Sequence, residues 1–202
     1  MVPLTFIFLG PSGCGKGTQA KLLIDHLKKT DSDKRSFLYL EAGARFRKFI
    51  EENSHASLLS KEVYESGNIQ PEFLAIWNWS SSFIDMLRGG EHLIVDGTPR
   101  RLNEAKIFVE AMNFFKRNRP IVISIDVSRE FSERLLLSRG RLDDSKDDIR
   151  KRLDWFETEV KPALVYLKLH SPFLVIDIDG EQPIEKVHKD VIAKIQKEGI
   201  FS

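Results

Sequence analysis

The stretch Gly-Pro-Ser-Gly-Cys-Gly-Lys-Gly-Thr, residues 10–18, constrains the fold more than any other part of this 202-residue chain. It directly follows the apolar run of residues 4–9 and leads into residues 16–29, whose apolar side chains recur at helical spacing. In a turn between a strand and a helix, glycines let backbone N–H groups approach phosphate oxygens, and the positive end of the helix faces the same anion. The pattern therefore predicts a phosphate-binding loop in which Lys16 supplies positive charge to a polyphosphate.

The hydroxyl residue of this loop stands one position later than in the general motif, where Ser or Thr directly follows the lysine. Here Gly17 follows the lysine, and the hydroxyl belongs to Thr18. The alternative is a glycine-rich turn with no ligand, but such a turn does not require four glycines, a lysine and a hydroxyl in register behind an apolar strand. The residues predicted to bind phosphates are Gly10, Ser12, Gly13, Cys14, Gly15, Lys16, Gly17 and Thr18.

Five short apolar runs, separated by segments of helical pattern, predict an α/β fold. Because this alternation is typical of a parallel sheet, we expect one domain with five parallel strands wrapped by helices. Asp126, which ends the fourth strand, is expected to cap the helix that follows, and a final amphipathic helix is predicted for residues 184–196. The apolar runs are residues 4–9, 36–40, 92–95, 121–125 and 173–178.

Residues 42–88 have helical character and form an insertion between the second and third predicted strands. Ligands of parallel sheets bind at the carboxyl ends of the strands, so an insertion at this place can fold over the site and bind a second substrate. Within the insertion, Trp77, Trp79 and Phe83 are expected in the core rather than stacked on a base.

The formal net charge of +1 and the single cysteine exclude several classes of function. A nucleic-acid-binding protein is expected to have a strongly basic face, so nucleic acid is not a predicted partner. Cys14 alone can form neither an internal disulfide nor a multi-cysteine zinc site, which favours a reducing compartment. The sequence has no signal-peptide pattern and no apolar stretch of membrane-spanning length, so we expect a cytoplasmic protein that does not contact a membrane. A monomer is expected as well.

The segment Asp-Gly-Thr-Pro-Arg-Arg, residues 96–101, begins where the third predicted strand ends. The carboxylate of Asp96 can hold Mg²⁺ directly or through water, together with the Thr18 hydroxyl. Gly97 permits close approach of a ligand, and Arg100 can bind phosphate oxygens in pairs. The alternative is a solvated loop, which the phosphate-binding loop earlier in the chain makes the less favoured interpretation.

Arginines recur after the fourth predicted strand. In phosphoryl transfer a protein acts chiefly by positioning groups and neutralising charge, which clustered arginines beside a phosphate site can do. Arg139, Arg141 and Arg152 are therefore candidate catalytic residues. Arg150 and Lys151 are interpreted instead as surface residues that pair with Asp147, Asp148 and Asp154.

Together these segments resemble the adenylate kinases and other nucleoside monophosphate kinases over nearly the whole chain. The resemblance is carried by Gly-Lys-Gly-Thr at residues 15–18, by residues 96–100, and by Gly-Arg-Leu-Asp-Asp at residues 140–144. Residues 41–47 are similar to the family's Thr-Gly-Asp-x-x-Arg segment, with Ala42 in place of the threonine. Residues 67–72 are similar to its Gly-x-x-Val-Pro-Asp turn beside the acceptor base, with glutamine in place of valine.

The resemblance implies a P-loop NTPase fold, Mg²⁺ as cofactor, no zinc, and ATP and a nucleoside monophosphate (NMP) as substrates. It divides the chain into a core of residues 1–41, 89–138 and 145–202, an NMP-binding insertion at about residues 42–88, and a short lid at about residues 139–144. Besides the loop, it implies Arg139 and Gln182 at the ATP, and Thr18 and Asp96 at the metal. The NMP-binding residues it implies are Ala42, Gly43, Arg47, Gln70, Gly97, Arg100, Glu104, Arg141 and Arg152, and the catalytic residues are Lys16, Arg100, Arg139, Arg141 and Arg152.

Three features depart from the family's pattern. Leu135 occupies the position of an arginine that flanks the donor adenine, and the lid is unusually short. Glu104 occupies the position of a glutamine that reads the acceptor base, and a carboxylate only accepts hydrogen bonds, whereas adenine needs a donor as well. The amide of Gln70 can supply that donor. We therefore expect AMP as the favoured acceptor with loose selectivity, GMP and CMP or UMP behind it, and measurable ATP hydrolysis without an acceptor.

Two other classes of function remain open. Ala44 and the short lid are compatible with a nucleotide-binding regulatory protein that has lost turnover. A P-loop kinase for a sugar or a shikimate-like acid would explain the phosphate-binding loop, but not Arg47, Gly67 and Arg100 together. The sequence thus predicts a nucleoside monophosphate kinase, with adenylate kinase as the favoured activity.

Overall fold

The structure, a computed structural model, describes residues 2–140, 145–170 and 172–200. Its strands are β1 (Thr5–Leu9), β2 (Phe37–Glu41), β3 (His92–Asp96), β4 (Ile121–Asp126) and β5 (Leu174–Asp179). They form one parallel sheet in the order β2-β3-β1-β4-β5. The predicted α/β fold with a five-stranded parallel sheet is confirmed, and each strand begins and ends within one residue of the apolar run that predicts it.

Helices cover both faces of this sheet. The helices are α1 (Lys16–Thr30), α2 (Ala42–Phe49), α3 (His55–Glu65), α4 (Glu72–Met86), α5 (Leu102–Phe114), α6 (Arg129–Arg139), α7 (Lys146–Trp155), α8 (Lys161–Leu169) and α9 (Ile184–Lys197), with a π-helical turn, Phe156–Val160, between α7 and α8. On one face α1 and α9 pack against side chains such as Phe6 and Ile123. On the other face α4, α5 and α8 pack against the alternate side chains, such as Ile7 and Val122. Strands buried on both faces explain why the runs are continuously apolar.

The helical insertion consists of α2, α3 and α4, which lie between β2 and β3 in the chain. Trp79 and Phe83 are buried in the core as predicted, but the same prediction for Trp77 is wrong, because its side chain is 42% exposed. Residues two apart on a helix point about 200° away from each other, so Trp77 and Trp79 cannot face the same core. Trp77 packs instead against the ring of Phe49, at 4.9 Å between ring centroids.

Two further local predictions are corrected. Ser128, not Asp126, caps α6, since its hydroxyl accepts a hydrogen bond from the Phe131 N–H at 3.2 Å while Asp126 is exposed. The ammonium group of Lys151 donates to the Ser66 carbonyl at 2.7 Å, instead of pairing with an aspartate of its own helix. Arg150 does pair with Asp147, at 3.4 Å.

The described residues contain no helix that is both long enough and apolar enough to cross a membrane.

A buried histidine, His92, begins β3 and therefore lies at the opposite end of the strands from the phosphate-binding loop. His92 Nδ1 accepts a hydrogen bond from the Leu4 N–H at 3.1 Å, and Nε2 lies 3.3 Å from a carboxylate oxygen of Asp31. The ring therefore has its proton on Nε2 and is neutral. Burial lowers the pKa of His92, although Asp31 acts in the opposite direction.

This histidine predicts a pH dependence of stability. In the unfolded chain the histidine binds a proton as the pH falls through about 6.5, whereas in the folded chain it stays neutral. The free energy of unfolding should therefore decrease as the pH is lowered below about 6.5, by at most about 1.4 kcal/mol per pH unit for one proton. His26 and His188 also have lowered pKa values and act in the same direction. In urea denaturation between pH 7 and pH 5, His92→Asn should therefore show a shallower slope than the parent. An unchanged slope would mean that the other histidines account for the whole pH dependence of the free energy of unfolding.

Candidate active site

A cleft of about 890 Å³ lies between the β1–α1 loop, the helical insertion and α7. It opens at the carboxyl ends of the strands, where ligands of open α/β sheets bind. Of the predicted site residues that the structure describes, all but Gly10 line it. Arg141 and most of the predicted lid lie outside the described residues. The residues that the structure brings together are Ser12, Gly13, Cys14, Gly15, Lys16, Gly17, Thr18, Ala42, Gly43, Arg47, Gln70, Asp96, Gly97, Arg100, Glu104, Arg139, Arg152 and Gln182.

The β1–α1 loop presents the start of α1 to the cleft. Gly15 is the N-cap of α1 and has a φ of 91°, a left-handed conformation that favours glycine. No side chain caps the first N–H groups of α1 from this position, which leaves them for an anion. Lys16 Nζ donates to the carbonyl oxygens of Gly10 at 2.9 Å and Pro11 at 2.8 Å, so the ammonium group is held over the loop.

Asp96 lies against the first turn of α1. Its Oδ2 accepts a hydrogen bond from the Tyr39 hydroxyl at 3.3 Å, and a Cβ on Gly17 would lie 3.2 Å from the same oxygen. Burial raises the pKa of Asp96, while the positive charge of Lys16 lowers it. Thr18 lies in the same helical turn and also lines the cleft.

These oxygen atoms fit a magnesium ion. A hydroxyl and a carboxylate are hard oxygen ligands, which Mg²⁺ prefers. No group of three or more His, Cys, Asp or Glu side chains could hold a metal ion in the part of the chain that the structure describes. A magnesium ion here would therefore take its remaining ligands from water or phosphate, as Mg²⁺ commonly does.

Three arginines from different segments converge on the cleft. Arg47 of α2 pairs with Glu41 at 3.0 Å, and Arg100, which follows β3, donates from Nε to the Gly97 carbonyl at 2.6 Å. Burial lowers the pKa of Arg100, the carboxylates of Glu104 and Asp96 act in the opposite direction, and the positive charges of Arg152 and Arg47 lower it further. All three arginines line the same cleft. Such a concentration of positive charge is suited to a phosphate group.

Glu104 is buried at the edge of the cleft and bonds to the loop that carries Arg100. One carboxylate oxygen accepts a hydrogen bond from the Thr98 hydroxyl, and the other accepts from the N–H groups of Arg100 at 2.8 Å and Arg101 at 3.3 Å. The amide of Gln70 is also engaged, since it bonds at both ends to Ser60. The predicted contacts of Glu104 and Gln70 with an acceptor base stay predictions.

The predicted donor-base side of the cleft contains apolar side chains. Leu135 and Phe131 of α6 line the cleft, and the guanidinium group of Arg134 lies over the Phe131 ring, 5.0 Å from its centroid. Gln182 also lines the cleft and donates from Nε2 to the Asp179 carbonyl at 3.0 Å.

The sequence does not single out three further residues that matter here, namely Tyr39, Glu41 and Arg101. Tyr39 bonds to Asp96, Glu41 pairs with Arg47, and Arg101 donates to the Gln70 carbonyl at 3.3 Å. The β2–β3 register places Glu41 directly beside Asp96, so parallel pairing of these two runs is the signal that would have found Glu41. No strand pairing points to Arg101, because its partners Gln70 and Glu159 lie outside the sheet and far from it in the chain.

A lysine held over a glycine-rich loop, with arginines gathered opposite it at the ends of parallel strands, defines a P-loop phosphotransferase. Within that class the chain belongs to the adenylate kinase family, since the family model described as adenylate kinase matches residues 8–171. The predicted nucleoside monophosphate kinase family and phosphotransferase activity are thereby confirmed.

Curated relatives agree with this assignment over nearly their full lengths. The adenylate kinase of Prochlorococcus marinus strain MIT 9301 is 30% identical over 189 residues, which cover 94% of this chain and 97% of the relative. Adenylate kinase 1 of Nostoc sp. strain PCC 7120 is 28% identical with the same coverage. The adenylate kinase of Corynebacterium urealyticum is 26% identical over 194 residues, which cover 96% of this chain and all of the relative.

Replacing the loop lysine tests the site directly. Lys16→Ala should lower kcat by about 10²-fold or more, because it removes a positive charge from the place where phosphate charge must be stabilised. Its free energy of unfolding in urea should stay close to that of the parent. Lys28→Ala, which removes an exposed lysine of α1 that pairs with Asp25, is the matched control and should leave kcat unchanged. Near-normal turnover of Lys16→Ala would contradict the assignment of the loop.

Proposed function

We propose that the protein is a Mg²⁺-dependent adenylate kinase that transfers the terminal phosphoryl group of ATP to AMP and releases two ADP. The observation that carries this proposal is the convergence of Arg47, Arg100 and Arg152 on one cleft with Lys16. A phosphorylated acceptor needs such positive charge, whereas a kinase for a neutral hydroxyl acceptor does not. The names of the relatives, all adenylate kinases, support the same acceptor.

The roles of the residues follow from charge and position. Lys16 and the loop N–H groups bind the donor phosphates, and Arg47 and Arg100 align the acceptor phosphate. Arg139, Arg141 and Arg152 neutralise the group in transfer. No general base is needed, because the attacking phosphate oxygen is already ionised at neutral pH. The residues proposed to border the two nucleosides are Gln182 on the donor side and Ala42, Gly43, Gln70, Gly97 and Glu104 on the acceptor side.

Thr18 and Asp96 would hold the magnesium ion, in part through water. When bound, Mg²⁺ neutralises charge on the donor phosphates. Tyr39 keeps the Asp96 carboxylate in place by its hydrogen bond, and Lys16 favours the ionised form of Asp96.

The division of the chain is proposed on the same basis. The helical insertion, at about residues 42–88, binds the acceptor, residues 139–144 form a short lid, and the remainder is the core. We further propose a cytoplasmic monomer whose partners are small nucleotides rather than nucleic acid.

The decisive experiment is a coupled assay for ADP formation with AMP, GMP, CMP and UMP as acceptors. AMP should give the highest kcat/KM, with GMP, CMP and UMP used more slowly. Nucleotide binding without turnover on any of the four would favour the regulatory alternative. Turnover with a sugar or a shikimate-like acid instead of all four would favour the other kinase class.

Glu104→Gln separates two roles of this carboxylate. We expect kcat/KM to fall by about tenfold for all acceptors alike, because an amide cannot accept from the Thr98 hydroxyl and both backbone N–H groups at once, which leaves a buried donor unpaired. Glu110→Gln on the exposed side of α5 is the control. A gain for AMP over GMP of about 1 kcal/mol or more would instead mean that Glu104 contacts the base.

A further inference from the structure

Helix α7 contacts the turn between α3 and α4 directly. Lys151 Nζ of α7 donates to the carbonyl oxygen of Ser66 at 2.7 Å, although 85 residues separate them in the chain. Residues 67–70 of the same turn line the cleft. A residue that the sequence assigns to the surface thus links α7 to the helical insertion.

The approach at Gly67 leaves no room for a Cβ unless the Asp148 side chain moves. A Cβ at this position would lie 2.3 Å from Asp148 Oδ1 and 3.4 Å from Lys151 Cδ. Gly67 also has a φ of +68°, which further favours glycine. Ser66 and Gly67 with Asp148 and Lys151 are called the turn–α7 contact below.

The far end of the turn is held separately. Arg101 donates to the Gln70 carbonyl at 3.3 Å and pairs through Nε with Glu159 at 3.6 Å. Glu72, the first residue of α4, accepts a hydrogen bond from the Glu104 N–H at 3.0 Å. The Gln70 end of the turn is thus fixed to the start of α5. The distance between the Gly67 end of the turn and α7 then depends on the turn–α7 contact.

Lys151 directly precedes Arg152, whose side chain lines the cleft. The two side chains leave α7 about 100° apart, so one can bond to the turn while the other faces the cleft. The insertion carries Arg47 and α7 carries Arg152. The separation of these two arginines therefore depends on the distance between the turn and α7.

We propose that Lys151 is a positioning residue for phosphoryl transfer. Through the turn–α7 contact it holds the helical insertion against α7, so that Arg47 and Arg152 stay within reach of the same phosphate groups and water is excluded from the cleft between the insertion and α7. The proposal rests on the proposed function. Exclusion of water matters because ATP in an open site is hydrolysed rather than transferred to the acceptor.

Lys151→Met tests the proposal, since it keeps the aliphatic chain and removes the ammonium group. The KM for AMP should rise about three- to tenfold, the range expected for losing one hydrogen bond. The ratio of ATP hydrolysis without acceptor to transfer with AMP should rise as well, while kcat should fall by less than the KM rises. Lys151→Arg, which keeps a donor, should restore the parent values of the KM for AMP and of the hydrolysis ratio. Arg150→Met, an exposed neighbour on α7, is the matched control and should match the parent.

A double-mutant cycle tests the contact from the other side. Gly67→Ala should raise the same hydrolysis ratio, and it should do so less when Asp148 is already alanine, because the clash with the carboxylate is then removed. Strain from the positive φ is common to both backgrounds and cancels. Unfolding curves in urea for each variant show that the fold is retained.

The outcomes separate the two proposals. A parent protein that transfers phosphate to no NMP would overturn the proposed function. A parent with normal transfer, whose KM and hydrolysis ratio are unchanged in Lys151→Met and additive in the cycle, would overturn the positioning role of Lys151 alone.

Discussion

Everything at the cleft depends on how closely the β1–α1 loop approaches β4 and α6. A Cβ on Gly10 would lie 2.4 Å from the Ile125 carbonyl oxygen, and one on Gly13 would lie 2.9 Å from the Leu136 side chain. Only glycine allows these approaches, so the loop is pressed against the ends of its neighbours. That placement puts the start of α1, and Lys16 with it, at the strand ends where the arginines gather.

Positive charge at the cleft is balanced by the chain's own oxygens. Lys16 bonds to two loop carbonyls, Arg47 to Glu41 and Arg100 to the Gly97 carbonyl. A polyphosphate must replace these partners, so binding exchanges one set of charge-assisted hydrogen bonds for another. The exchange limits the net gain in affinity, and it also keeps mutually repelling cations together before a nucleotide arrives.

The sequence predicts the sheet and the phosphate-binding loop because each depends on local pattern, whereas most of the other residues at the cleft are predicted by the resemblance to a kinase family. Continuous apolar runs give the strands to within one residue, and parallel pairing then brings their ends together. Contacts between segments that are distant in the chain are not predicted in this way. The bond from Lys151 to Ser66 and the ring of hydrogen bonds around Glu104 depend on how helices pack, which spacing along the chain does not encode. The prediction for Trp77 is wrong because α4 has apolar residues on more than one face, and only the two-residue spacing from Trp79 indicates that both rings cannot face the core.

The three tryptophans occupy three different surroundings. Trp79 is buried in the core, Trp155 lines the cleft, and Trp77 lies on the surface of the helical insertion against Phe49. Indole emission depends on polarity and on nearby quenching groups, so each ring reports on its own part of the molecule. The protein thus contains intrinsic fluorophores for core packing, occupancy of the cleft and displacement of the insertion, and single-tryptophan variants would let each be followed without an attached label.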